Sequence, residues 1–452
     1  MKIAVIGAGV SGHAVAWNLR GSGHEVDVYE RSGRLGGECS TIHTTVGGEE
    51  RWADLGVNDF NRRTYRNVVS VMDELGAEYR DLEDTACFYT GDGDILFTLD
   101  GSPIPMRSDV MTEFRRFRDG AAEFVENINA YEGWSVERYL KEKGFSPDFA
   151  RLCIYPRVNA MYFVHDQGPD LMPIEAVMHY YVLQEGFGTP EGPERKYFVG
   201  GSSAWIDRLG AACGARFVRG VGEVAISAMP DHVDVHLEDV DLDYDKLVFA
   251  CHAEDARKSF RHGLADEVDK VLGRFRYLDS VAVLHTYSGL LPERRDAWRT
   301  YNVMIRPDGA PPSPYSMTYV ENRHQNDREN PERHLDGEEF FVTLNPLVPI
   351  PADRILIDQA TGAPATRHFP HSVVTFDALK AQQDLWPLQG VNNVYFAGGW
   401  TLGAGLHEEC WEAATRVANL LRDIEQDEEL LVTGPAGNRR SPHYMRQAVG
   451  NA

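Results

Sequence analysis

Three stretches of this chain predict an α/β fold built on a parallel sheet. Lys2-Ile3-Ala4-Val5-Ile6 is a short, nearly continuous apolar run, followed at once by glycines, a helical pattern and a second strand. Val248-Phe249-Ala250-Cys251 is another such run in mid-chain. Asn393-Val394-Tyr395-Phe396-Ala397 leads through a glycine-rich turn into a last helix. Short apolar runs bounded by turns suit strands buried on both faces, which is the condition of a parallel sheet.

The first unit is the most informative. Gly7-Ala8-Gly9-Val10-Ser11-Gly12 fits G-x-G-x-x-G between a strand and a helix. Gly7 permits the tight turn, Gly9 lets a pyrophosphate come close to the backbone, and Gly12 lets the helix pack on the sheet. Ser11 stands in the first helical turn, where free N–H groups and the helix dipole favour phosphate. The helical pattern runs through Ala14, Ala16, Trp17 and Leu19 and stops at Gly21 and Gly23. Val26 to Tyr29 then forms a strand ending on Glu30, where a carboxylate accepts hydrogen bonds from ribose hydroxyls, with Arg31 beside it.

Arg34-Leu35-Gly36-Gly37 follows Glu30 by four residues. Its two glycines let the chain pass near the phosphates, and Arg34 adds a cation. This R-x-G-G element, placed after the dinucleotide unit, resembles that of FAD-dependent flavoproteins of the monoamine oxidase and phytoene desaturase type. The resemblance extends to Asp54-Leu55-Gly56, expected along the flavin ring edge, and to the backbone near Val224, expected against the adenine. It continues to Gly398-Gly399 and Leu406-His407, expected at the N1–C2=O edge of the ring. There the positive start of the last helix would stabilise the anionic reduced flavin. The sequence is similar to a bacterial subgroup of predicted NAD/FAD-binding, amine-oxidase-like proteins. The resemblance implies a glutathione reductase-like FAD domain of amine oxidase type, interleaved with an α+β substrate domain. No Cys or His shows a covalent flavin-attachment motif, so non-covalent FAD is expected. In the family a basic residue usually follows the glycine pair, whereas this chain has Glu38.

Composition narrows the class. The chain has 452 residues, 43% hydrophobic and 25% charged, as in ordinary soluble globular proteins. A net charge of −24 argues against nucleic acid and anionic membrane surfaces as partners. The partner expected is a small-molecule substrate, and a homodimer is left open. The six cysteines show no C-x-x-C spacing, so no metal site is expected and a reducing cytoplasm fits. No signal peptide precedes the first strand. No run reaches the ~20 apolar residues of a membrane helix.

The order of elements predicts interleaving. Residues 1–78, 199–265 and 376–425 are assigned to the FAD domain. Residues 79–198, mostly helical and rich in aromatics, and 266–375, mostly sheet, are assigned to the substrate domain. Residues 426–452 form a polar tail. A helix is expected from Asn61 to Gly76, a hairpin around Gly91-Asp92-Gly93-Asp94, a long strand from Ser280 to Thr286, and a surface loop from Arg306 to Asn330.

The chemistry is less determined. Amine oxidases of this fold usually carry a lysine on the substrate-side strand, near Val283 here, yet no lysine occurs between Lys270 and Lys380. His285 lies two residues on, on the same strand face, and is a candidate proton-transfer group. His407 is a second. Arg299 and Tyr301 are candidates for orienting a carboxylate or carbonyl, with solvated surface positions as the competing reading. The expected activity is oxidation or desaturation of a small hydrophobic or amphipathic substrate, of acyl or natural-product type, by hydride transfer to flavin N5. A flavin amine oxidase, a redox-neutral double-bond isomerase and a non-catalytic flavin-binding scaffold stay open.

Overall fold

A computed structural model describes residues 1–99, 104–162, 168–188, 192–238, 240–305, 315–325 and 337–423. Its centre is a five-stranded sheet in the order Arg216–Arg219, Glu25–Glu30, Lys2–Ile6, Lys246–Phe249 and Val394–Phe396. All neighbouring strands in it are parallel. The N-terminal run thus sits in the middle, flanked by strands from distant parts of the chain.

Side-chain alternation along Lys2–Ile6 explains the layers. Ile3 and Val5 point to one face, where they pack with Ala14 and Val15 of the helix Val10–Leu19 and with Ala414, Val417 and Leu421 of the helix His407–Asp423. Ala4 and Ile6 point to the other face. There they join Ile226, Val233 and Val235 of a four-stranded sheet. A strand covered on both sides has no use for polar residues, which is why it reads as a continuous apolar run.

A seven-stranded sheet forms the second half. Its order is Thr366–Ser372, Tyr277–His285, Phe341–Leu344, Tyr315–Val320, Tyr301–Ile305, Ala86–Thr90 and Ile95–Thr98. The expected hairpin is present as its last two strands. Helices from Ser108–Asp119 to Ile174–Leu183 cover it, and their aromatics pack with one another. Phe117, fully buried, meets Tyr139, Phe145, Phe149, Tyr181 and Phe187.

Two local expectations need correction. The helix expected from Asn61 begins only at Arg66, because Asp59–Asn61 is a strand paired with Arg195–Phe198. That partner lies too far along the chain for any local pattern to reveal it. The loop expected from Arg306 to Asn330 contains a fully buried strand, Tyr315–Val320, and a short helix, Glu321–His324. Flanking Pro, Asn and Asp masked a β-prone run of Tyr, Met, Thr and Val. Residues 306–314 and 326–330 of that segment, and the tail 426–452, lie outside the described residues.

Buried carboxylates tie the pieces together at helix starts. Glu408 accepts from the Asn67 and Val68 backbone N–H groups at 2.9 and 3.1 Å and from Asn67 Nδ2 at 2.9 Å. It thereby caps the helix Arg66–Glu74 from the last helix. Asp54 does the same for the helix Ser202–Ala212, accepting from the Ser202 N–H at 3.0 Å and its hydroxyl at 2.8 Å. Removing the first clamp leaves two buried helix-end donors unpaired. Glu408→Ala is therefore expected to lower stability by about 1–3 kcal/mol, read as a lower midpoint in urea; an unchanged midpoint would refute the clamp.

Candidate functional site

The first glycine turn is built to admit something. Gly7, at φ 105°, turns the chain out of the strand, and a Cβ there would lie 2.9 Å from the Ala250 carbonyl oxygen. At Gly12 a Cβ would run into the Gly7 carbonyl, so both glycines are demanded by packing. Gly9 differs. Its backbone is extended and an added Cβ would meet only Gly37 Cα, at 3.8 Å. The protein alone does not require glycine there, so the requirement comes from what approaches. The helix Val10–Leu19 that follows has no side-chain cap and no acid in its first turn. Its start, with Ser11 buried within it, suits an anion.

The neighbouring segments close around this turn. Gly36 donates its N–H to the Ala8 carbonyl at 2.8 Å, and the backbone of Gly37 lies against that of Gly9. Glu30 accepts from the Ala8 N–H at 3.0 Å and from the Ser32 N–H and hydroxyl at 2.9 Å. The N–H groups of Gly220, Val221 and Gly222 bond to the carbonyls of Ser32, Glu30 and Arg31. The edge strand and half-buried Val224 thus lie beside the Glu30 end of the turn. Arg34 does not project a free cation. Its guanidinium donates to the carbonyls of Leu35, Gly37 and Cys39 at 3.2, 2.5 and 2.6 Å, which braces the Gly36–Gly37 loop. Arg31 is exposed and lies 3.7 Å from Asp255.

The last glycine turn meets these from the other side. A Cβ on Gly399 would lie 2.8 Å from Cys410 Sγ in the last helix, and one on Gly398 would lie 2.6 Å from the Cys251 carbonyl oxygen just beyond the strand Lys246–Phe249, so both are closely packed. Leu406 and His407 line a cavity of about 740 Å³, together with Glu38, Leu55, Gly56 and Gly405. His407 is buried, and burial pushes its pKa down to about 4. Trp205 Nε1 donates to His407 Nε2 at 3.3 Å, which leaves the proton on Nδ1. Nδ1 is buried without a protein partner among the described residues. An orphaned donor at the wall of a cavity fits an acceptor supplied by a bound group. The helix start here is not a free positive end, however. Glu409 is fully buried and accepts from the Ala404 and Leu406 N–H groups at 2.9 and 3.0 Å, and Glu408 stands beside it.

Beyond the glycine turns the cavity is mostly apolar, lined by Phe88, Phe114, Met161, Val281, Val303 and Phe369 among others. One wall is ionic. Arg195 donates to Asp59 at 2.5 Å and lies 3.7 Å from Glu185, which lies 3.2 Å from Arg157. Tyr301 donates to Asp59 at 2.8 Å, and His324 Nε2 lies 3.7 Å from it. Although burial opposes ionisation, Arg195 and His324 hold the Asp59 carboxyl well below the usual range. Burial likewise disfavours charge on His324, but Glu321 and Asp59 outweigh it and raise its pKa to about 9. Asp84 opens onto the cavity without a hydrogen-bond or ion-pair partner among the described residues. His371 also lines the cavity and is shifted down by burial, against the pull of Glu38.

Several candidates do not reach this cavity. His285 is fully buried, and its Nδ1 accepts from the Tyr287 N–H at 3.0 Å. Its Nε2 donates to Thr343 Oγ1 at 2.7 Å. Burial pushes it down to about 4. With both nitrogens engaged inside the sheet, it has no path to a reacting atom. Asp54 is also internal; besides Ser202 it accepts from Gln325 at 2.7 Å and Thr41 at 2.5 Å, so its neighbour Leu55 is the one that faces the cavity. Arg299 is buried rather than solvated and donates to the Asp296 and Trp298 carbonyls. Apart from Tyr301, the ionic wall and His371 were missed because their members are single polar residues in apolar strands and helices. Only the tertiary pairing of Asp59 with Arg195 distinguishes them.

Comparison with known proteins agrees with this geometry. The profile of the family described as flavin containing amine oxidoreductase matches residues 10–422. The chain belongs to that family and is an FAD-dependent oxidoreductase. A flavin-dependent L-tryptophan oxidase from Lentzea aerocolonigenes is 32% identical over 127 residues, 28% of this chain and 24% of that one. A zeta-carotene desaturase from Synechocystis sp. is 33% identical over 78 residues, 17% of this chain and 15% of the desaturase. The matched stretches thus span a quarter or less of these curated relatives. Among solved structures, the cyclohexylamine oxidase of Brevibacterium oxydans superposes with a TM-score of 0.64 at 17% identity, over 94% of this chain and 99% of that one. A fatty acid isomerase from P. acnes that produces CLA gives 0.64 at 18% identity, over 92% and 98%. At those identities the likeness is one of fold.

Two outcomes are expected. Gly9→Val folds with a native circular dichroism spectrum but purifies without FAD, whereas Gly12→Val fails to fold; a yellow Gly9→Val protein would contradict the assignment. The second concerns pH. His285 and His407 have folded pKa values of about 4 against 6.5 in the unfolded chain. Their contribution is complete above pH 6.5 and is lost as pH falls through about 4, roughly 3 kcal/mol for each histidine. His285→Asn should therefore shrink the loss of stability between neutral pH and pH near 5 in urea unfolding; an undiminished loss would contradict it.

Proposed function

We propose that this enzyme oxidises or desaturates a small hydrophobic or amphipathic molecule of acyl or natural-product type. The observation that carries the reading is the cavity: mostly apolar, about 740 Å³, and continuous from the Leu406–His407 turn to the ionic wall around Asp59. FAD, when bound, supplies a hydride acceptor at N5. The chain's own residues do the rest. Glu30 holds the ribose in place of its present backbone partners, the open start of the helix Val10–Leu19 takes the pyrophosphate, and Gly9 and Gly37 give it room. The His407 Nδ1–H donates to the ring edge. Leu55 and the apolar lining exclude water and orient the chain of the substrate. Asp59, Arg195 and Tyr301 meet its polar end. Among the described lining residues there is no lysine, which is consistent with chemistry other than amine oxidation. The desaturase relative and the isomerase-like fold are consistent with an acyl or polyene substrate. The six cysteines are all free, which supports a reducing compartment.

A second reading has one observation in its favour. The open carboxylate of Asp84 suits a cationic head group, and this supports an amine substrate.

The two readings separate on one experiment. The FAD-loaded protein is mixed anaerobically with an unsaturated long-chain fatty acid, a carotenoid, L-tryptophan and cyclohexylamine in turn. Bleaching of the flavin by the first pair alone supports the proposal. Bleaching by the amines alone, lost in Asp84→Asn, replaces it with the second reading. Product formation without bleaching or oxygen uptake would point to an isomerase. His285→Gln is expected to leave the rate of bleaching within about twofold of wild type, checked by stopped-flow; a large loss would restore it to the mechanism.

A further inference from the structure

We propose that Trp205 is a positioning residue for the flavin: its indole N–H fixes the tautomer of His407, so that His407 presents a neutral N–H donor to the ring. The proposal rests on the FAD assignment above and goes beyond it in naming the residue that decides which nitrogen of His407 carries the proton.

The tautomer follows from donor chemistry. An indole N–H only donates, so the atom it meets must accept. Trp205 Nε1 lies 3.3 Å from His407 Nε2. Nε2 therefore keeps its lone pair in that bond, and the one N–H of the neutral imidazole is on Nδ1. A proton on Nε2 would set two N–H groups against each other at a site where both side chains are buried. The acids that follow His407 turn to other partners. Glu408 accepts from Asn67 and Val68, and Glu409 accepts from the Ala404 and Leu406 N–H groups and lies 3.4 Å from His179.

The indole is held from its own side of the bond. Trp205 stands one turn into the helix Ser202–Ala212. Asp54 accepts from the Ser202 N–H and hydroxyl, and Thr41 Oγ1 accepts from the Ser203 N–H at 3.0 Å, so the start of that helix is pinned. Gly201, at φ 90°, leaves no room for a side chain against Thr41. On the other side, His407 opens the last helix, and its ring lies 6.1 Å from that of Phe198 in a stacked arrangement. A buried Trp N–H needs a partner in any case. What gives this pair a further consequence is the nitrogen it leaves over: Nδ1 has no protein partner among the described residues, in a side chain that lines the cavity. A neutral donor there favours the anionic reduced ring over the oxidised one without itself changing protonation.

The test uses the holoenzyme. Midpoint potentials are measured against a reference dye for wild type, Trp205→Phe, His407→Leu and the double variant. Without the indole N–H the proton is free to move to Nε2. Trp205→Phe should therefore weaken the preference for reduced over oxidised flavin about tenfold, a fall of about 30 mV for a two-electron couple. In the His407→Leu background the same substitution should add nothing, because its effect passes through the imidazole. A potential that stays or rises in Trp205→Phe, or an equal fall in both backgrounds, overturns the proposal and leaves the FAD assignment intact. Should a variant lose FAD, nitrogen NMR of wild-type protein carrying labelled histidine decides, with the His407 signals identified by their absence from His407→Leu. A protonated Nδ1 beside a bare Nε2 is expected, and a protonated Nε2 overturns the proposal. That measurement needs no flavin, so it stands apart from the FAD assignment, which a wild-type protein unable to bind flavin would overturn.

Discussion

The structure depends on a close backbone approach: the Gly9 turn lies against Gly36 and Gly37, with Gly36 bonded to the Ala8 carbonyl. A Cβ on Gly36 or Gly37 would crowd backbone there, at 2.8 Å from the Cys39 carbonyl oxygen and 3.1 Å from Gly9 Cα. The approach sets an uncapped helix start beside the Glu30 carboxylate, which accepts from the Ala8 N–H. The other contributors are placed by the sheet. Because Lys2–Ile6 is its central strand, the chain must return twice, at Lys246–Phe249 and Val394–Phe396, to cover it. Those returns deliver the last glycine turn to the same edge.

Charge is managed by burial and pairing more than by number. A net charge of −24 would suggest an acidic protein throughout, yet the interior carboxylates each have a task. Glu408 and Asp54 cap helices contributed by other segments, Glu409 orders the turn before the last helix, and Asp59 gathers Arg195 and Tyr301 at the cavity wall. Glu38 and Asp84 are the two cavity-lining acids left without such a task among the described residues.

Much of this was legible in the sequence, for physical reasons that can be named. The central strands are apolar on both faces, so composition alone located them. Gly7 and Gly12 are forced by sterics, and the strand, glycines, helix and acid in order pointed to a dinucleotide, with the R-x-G-G resemblance pointing to FAD. Other features were hidden because their cause is non-local. The Tyr315–Val320 strand is defined by its neighbours on both sides, and its flanks resembled a loop. Asp54 looked like a ring-edge residue because it adjoins Leu55, but its carboxylate turns inward to Ser202. His285 shares a strand face with the position usually held by lysine, and only the Thr343 hydroxyl and Tyr287 N–H show that it is used up. Helix polarity predicted a positive end at His407, and the structure adds that the first-turn acids Glu408 and Glu409 turn to backbone N–H groups of other segments.

The central claim is that distant segments converge on one flavin. Hydrogen exchange with and without FAD tests it most directly. The account predicts that FAD slows exchange together at residues 7–12, 30–38, 218–224 and 398–407, and little elsewhere. Protection confined to the first turn, or spread over the seven-stranded sheet with the last glycine turn unchanged, would contradict it.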